Sequence, residues 1–169
     1  MEIKKSATST GPCLQFKYDF SLWFCETDEE VALHISEILT QSGYKGFVEH
    51  QDQVAGHLVI KEVTNVIQQS KVTIIILSQS SLGSGWCRRV SEWNLQHSIE
   101  KGNKVLPVYF NIKTEQIPPV FRHINGLHYD SNFFTKRLLD SLKSRKKSTY
   151  KYVNQMKVCL EQGKETSLE

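Results

Sequence analysis

The segment LSQSSLGSGWCRRVSEW, Leu77 to Trp93, concentrates side chains that could do chemistry. Serine hydroxyls and a cysteine thiol become nucleophiles when a neighbouring base activates them. A glycine-containing loop ahead of a helix can cradle a phosphate. The companions for either chemistry are missing. None of the 6 histidines pairs with a Ser or Cys in a nucleophile-elbow motif. SLGSG fits neither GxGxxG nor GxxxxGK[ST]. The 4 cysteines, Cys13, Cys25, Cys87 and Cys159, form no CxxC pair. They read as reduced, inert thiols and not as a zinc set or disulfide framework. Glu26 and Asp28 follow the first apolar strand, where acids are expected as helix-start caps and dipole partners.

The elements that must position these groups alternate. YDFSLWF puts Tyr18, Phe20 and Leu22 against Asp19 and Ser21, the period of a strand, which ends near Cys25. Thr27 or Asp28 then opens a helix with Val31, Ile35, Ile38 and Leu39 inward, and Gly43 stops it. YKGFVEH is a short second strand and QDQVAG a loop. From about His57 a second helix carries Leu58, Ile60, Val63, Val66 and Ile67 on one stripe. KVTIIIL is an unbroken β-branched run, as in a parallel strand buried on both faces. A helix from about Trp86 to Ile99 ends at Gly102-Asn103, and KVLPVYF is a fourth strand. KTEQIPP reads as a loop and GLHYD as a short edge strand. NFFTKRLLDSLKS is a last amphipathic helix with Phe134, Leu138, Leu139 and Leu142 inside. Repeated β-α alternation with short connections predicts a parallel sheet covered by helices on both faces.

Length bounds this to one domain, since 169 residues fit a single core. Residues 1–13 read as a flexible lead-in, 14–142 as the folded domain, and 143–169 as a basic, polar tail that extends the last helix or frays. A net charge of +3 is too small to argue for nucleic acid as a partner. The longest apolar run, VTIIIL, falls far short of a membrane span, and the N-terminus lacks the apolar core of a secretory signal.

Four linked signals, in order, resemble the Toll/interleukin-1 receptor homology (TIR) domain. YDFSLWFCETDEE is similar to the family's first box. HQDQVAGH resembles the Arg-Asp-x-x-Pro-Gly loop of its second box, with Asp52 and Gly56 matching, Gln51 for Arg and Ala55 for Pro. VIQQSKVTIIILSQSSLGSGWC matches the helix, apolar strand, serine loop and Trp-Cys. Phe133-Phe134 stands where the third box has Phe-Trp. The resemblance implies a flavodoxin-like TIR fold with a central five-stranded parallel sheet. It also implies one of two activities. Most animal members are signalling adaptors or receptor modules that assemble by TIR–TIR contacts. A minority cleave nicotinamide from NAD with a glutamate four residues after the Trp.

Here that position is Val90, which cannot stabilise an oxocarbenium-like centre. The nearest acid, Glu92, lies two residues on and roughly 200° around the helix. The expectation is therefore a non-enzymatic interaction module of innate-immune signalling, cytoplasmic or membrane-peripheral, without a cofactor. The alternative is an NAD-cleaving enzyme, with NAD as substrate and Glu92 as its acid. The expected partner loop runs through Glu49, His50, Gln51, Asp52, Gln53, Val54, Ala55 and Gly56, reaching other TIR domains or a second copy. Arg88 and Arg89, exposed with Ser81 and Ser84, form a second surface. Trp86 and Cys87 are expected to pack at the base of their helix. Lys143, Arg145, Lys146, Lys147 and Lys151 are candidates for an anionic membrane surface, where each basic residue is worth about 1 kcal/mol.

Overall fold

The computed structural model describes residues 16–52 and 59–143. The loop residues Gln53, Val54, Ala55 and Gly56, and the tail residues Arg145, Lys146, Lys147 and Lys151, lie outside them, as do His57, Leu58, Cys13 and Cys159.

The sheet has five parallel strands: β1 (Tyr18–Trp23), β2 (Gly46–Val48), β3 (Ser70–Leu77), β4 (Lys104–Tyr109) and β5 (Leu127–His128). Their order is β2-β1-β3-β4-β5, the flavodoxin-like arrangement that the TIR resemblance implies. Both long central pairs are in continuous register: Leu22 lies beside Ile74 in one, and Ile74 beside Leu106 in the other. Glycine 46 is required at the start of β2, because a Cβ there would sit 2.0 Å from the Phe20 ring.

The helices are α1 (Glu29–Gln41), α2 (Val59–Gln69), α3 (Gln79–Gly83), α4 (Gly85–Lys101), α5 (Pro119–Arg122) and α6 (Phe134–Lys143). One face of the sheet carries Phe20, Leu22, Ile74 and Val108 against α1 and α6, through Ile35, Leu39, Phe134 and Leu138. The other carries Trp23, Phe47, Ile75 and Leu77 against α2 and α4, through Val63, Val66, Ile67, Val90 and Leu95. This two-sided burial is why β3 alternates nothing: Val72 to Leu77 are all buried.

Local departures from the sequence expectation have local causes. The serine loop is partly helix: Ser78 and Ser81 form a reciprocal capping box that folds Gln79–Gly83 into α3. KTEQIPP contains a 3-10 turn at Thr114–Gln116, and Pro119 opens α5 as a first helical residue. Ile60 is 60% exposed, not inward. It borders an open groove between α2 and α4 shared with Trp93 and His97. Ile38 and Leu139 are only partly buried. Gly102 ends α4 in the left-handed conformation, φ 75°.

Candidate functional site

In a sheet of this order, ligands meet the carboxyl ends of the strands beside the point where the connections reverse direction, here β1 and β3. The groups that gather there come from four segments: the β1–α1 turn, the end of β2, the α3 cap and the first turn of α4.

Glu49 is the centre. Along β2 the side chains alternate, so Glu49 falls on the face of Phe47, toward α4. It is 2% exposed. One carboxylate oxygen accepts from the Trp86 indole N–H at 3.1 Å, the other from the Phe24 backbone N–H at 3.3 Å. Burial raises its pKa above the ordinary carboxylate value, against the Trp86 and Phe24 hydrogen bonds and the neighbouring His50, which pull it down. This corrects the expectation that Glu49 belongs to an exposed partner-binding loop. The residue anchors the loop and does not face outward.

The exposed part begins at His50, which is held at φ 66° and stacks edge-on against Phe24 at 5.4 Å. Gln51 is exposed. Asp52 is exposed yet committed: its carboxylate accepts from the Val48 N–H at 2.7 Å and closes the turn.

Across β1, Asp28 is 4% exposed and makes no helix-capping bond. It accepts instead from the Ser78 hydroxyl at 2.5 Å. That hydroxyl in turn accepts from the Ser81 N–H at 3.1 Å. Burial raises the Asp28 pKa, with the Ser78 hydrogen bond opposing. Asp28 does occupy the N-cap position of α1, as the sequence suggests, but its carboxylate serves the hydroxyl of Ser78, just past β3, and not the helix amides. Glu26 does lie in a 3-10 turn at the helix entry and is exposed. Ser81, expected on the surface, is 5% exposed because its hydroxyl serves the cap. Ser84 caps α4 by accepting from the Cys87 N–H.

Trp86 is half-buried over Glu49 and meets Trp93 edge-on at 6.1 Å. Cys87 is also only half-buried; its thiol faces the Phe24 carbonyl at 3.9 Å, beside the peptide that leads into Cys25. Burial pushes the Cys87 thiol up to about 11, opposed by Ser84, with Cys25 and Glu49 adding to the rise. No sequence signal links these two cysteines; the β1–α4 packing does.

One turn beyond Trp86, Val90 is 2% exposed and packs in the α4-side core. Glu92 is exposed on another side of α4, at the rim of a cleft of about 180 Å³ lined by Arg88, Leu95 and Phe121 among others. Glu49 and Trp86 do not line it. Arg88 and Arg89 are exposed, and Arg88 donates to the Leu82 carbonyl at 3.3 Å. Phe133 is 68% exposed while Phe134 is buried. Lys143 is exposed and pairs loosely with Asp140 at 4.0 Å. Among the described residues, no cluster of His, Cys, Asp and Glu could hold a metal, and no helix is long and apolar enough to cross a membrane.

Chemically, the arrangement offers a buried carboxyl that accepts from an indole, a second buried carboxyl that accepts from a serine, and two free, half-buried cysteines. The family model of the TIR domain matches residues 18–127. A putative disease resistance protein of Arabidopsis thaliana is 26% identical over 85 residues, 49% of this chain and 8% of its own length. A probable 2′ cyclic ADP-D-ribose synthase of Brachypodium distachyon is 24% identical over 92 residues, 54% of this chain and 39% of its own. The chain thus spans well under half of either relative. The TIR domain of a Toll-related receptor from Hydra magnipapillata superposes with a TM-score of 0.66 at 18% identity, covering 76% of this chain and all of that one.

Proposed function

The chain belongs to the TIR-domain family, and on that premise we propose that it is a cytoplasmic interaction module of innate-immune signalling, assembling by contacts with other TIR domains or with its own copies. The observation that carries the reading is Val90. At the position where the family's NAD-cleaving members have a glutamate, this chain buries an isopropyl group in its core. A positioned acid or base typically contributes about 10²–10⁴-fold to a rate. What remains exposed around the site is a turn held rigid by Asp52 and by the anchor of Glu49, a suitable base for a contact loop.

A second reading has one observation in its favour. Glu49 presents a carboxyl to Trp86 from β2, on the side of the helix where position 90 lies. A relative described as a cyclic ADP-D-ribose synthase makes NAD the substrate to test.

Two assays separate the readings. Sedimentation velocity over a rising concentration series should detect self-association, and replacing Gln51, Gln53 and Val54 with alanine should weaken it while the melting temperature stays unchanged. Asp52 is left in place because it holds the turn. Unchanged assembly in that variant counts against the loop as the contact. Incubation with NAD and chromatography for nicotinamide should give none; turnover that vanishes in Glu49→Gln would establish the second reading.

A further inference from the structure

The thiols of Cys25 and Cys87 lie far apart in sequence, on two elements that only the folded sheet brings together. Cys25 follows β1, and Cys87 sits in the first turn of α4. The Cys87 thiol is 3.9 Å from the carbonyl of Phe24, the peptide unit that leads into Cys25. Both cysteines are free, and both are partly open to solvent. In the chain, Cys87 follows Trp86, whose indole N–H donates to Glu49, and Cys25 precedes the 3-10 turn that ends at Asp28.

From this juxtaposition we propose that Cys25 and Cys87 are a redox modification site, which a peroxide converts reversibly to a disulfide. The order of events follows from the surroundings. Burial holds Cys87 as the thiol, so the first attack falls to Cys25. Its sulfur attacks one oxygen of hydrogen peroxide; the O–O bond breaks, Cys25 becomes a sulfenic acid, and the other oxygen leaves as water after taking a proton. The Cys87 sulfur then attacks the Cys25 sulfur. Its proton joins the departing hydroxyl as a second water, and the S–S bond forms. Two thiols and one peroxide give one disulfide and two waters, and a small thiol such as glutathione reverses the reaction by exchange. The bond would pin the α4 first turn, with Trp86, to the end of β1. Such a bond between half-exposed thiols is of the labile, regulatory kind in a reducing compartment. The site stands whether the surface above it binds a partner or a substrate.

The test uses the full chain. It is exposed to hydrogen peroxide, quenched with N-ethylmaleimide and digested without reductant for mass spectrometry. The expected product is a Cys25–Cys87 linked peptide, two hydrogens lighter than its two thiol peptides together and lost on adding dithiothreitol. Free alkylated Cys25 and Cys87 after a dose that fully oxidises N-acetylcysteine would overturn the proposal. So would bonds formed chiefly with Cys13 or Cys159. Independently, Cys87→Ser removes the resolving thiol, so dimedone should tag Cys25 as its sulfenic acid; an untagged Cys25 under the same dose also overturns it.

Discussion

Replacing Trp86 with phenylalanine isolates the indole N–H that holds Glu49. The phenyl ring keeps most of the edge contact with Trp93 but has nothing to donate to the carboxylate 3.1 Å away. Loss of a hydrogen bond to a buried charged group costs about 1.5–3 kcal/mol. The smaller ring forfeits about 1 kcal/mol of apolar burial. Together the penalty is about 2–4 kcal/mol at neutral pH, a fall of roughly 5–15 °C in melting temperature for a domain of this size. The pH dependence identifies the cause. Glu49 already titrates above its unfolded value of 4.5, because burial disfavours the charge. A carboxyl with a raised folded pKa binds more protons folded than unfolded, so its contribution to stability falls as pH rises from the unfolded value through the folded one. Removing the Trp86 donor lifts the folded pKa further. The variant therefore keeps losing stability after the wild type has levelled off. Near pH 4, with the carboxyl protonated in both proteins, the difference should shrink to about 1–2 kcal/mol. Urea unfolding between pH 4 and 7.5 measures it. A double-mutant cycle with Glu49→Met, which removes the acceptor, should give a coupling well above about 0.5 kcal/mol. A penalty that does not change with pH, together with no coupling, would mean that Trp86 only fills space and that the hydrogen bond to Glu49 has no energetic role.

Val90→Glu places an unpaired carboxyl in the core and should cost at least about 3 kcal/mol by urea unfolding without conferring NAD cleavage; a stable, active variant would show that a pocket opens there. Gly46→Ala should destabilise far more than Gly43→Ala. At position 46 a methyl collides with the buried Phe20 ring, whereas at position 43 the space is open and only the φ of 85° is strained, worth about 1 kcal/mol. Equal losses in differential scanning calorimetry would contradict the packing at β2. Sedimentation with vesicles containing phosphatidylserine should retain the protein at low salt and release it at high salt if the Lys143–Lys151 stretch meets lipid, and equal retention on neutral vesicles would remove that surface from consideration.

The sheet was legible because its signals are periodic and local. VTIIIL is typical of a strand covered on both faces, and the helix stripe at Val31, Ile35 and Leu39 follows from 3.6-residue spacing. The site was less so. The alternation Phe47, Val48, Glu49 does contain the position of Glu49; grouping it with the loop that follows concealed its burial. Asp28 has every local mark of a cap, and nothing within its own helix reveals that Ser78 competes for it from β3. Ser81 was misplaced for the related reason that a serine-rich segment looks like loop until its capping box is recognised. The Cys25–Cys87 pairing depends on two crossovers of the chain and leaves no trace in the spacing of either residue.

The two outermost strands are also the shortest, with three residues in β2 and two in β5. Each border of the sheet therefore offers few free backbone N–H and C=O groups to an incoming strand. A long free border would invite an irreversible polymer, in which sheets join edge to edge and grow as fibres. Truncated borders leave such growth little template. Association through the sheet borders is thereby disfavoured, and the surfaces left for contacts are those of loops and helices.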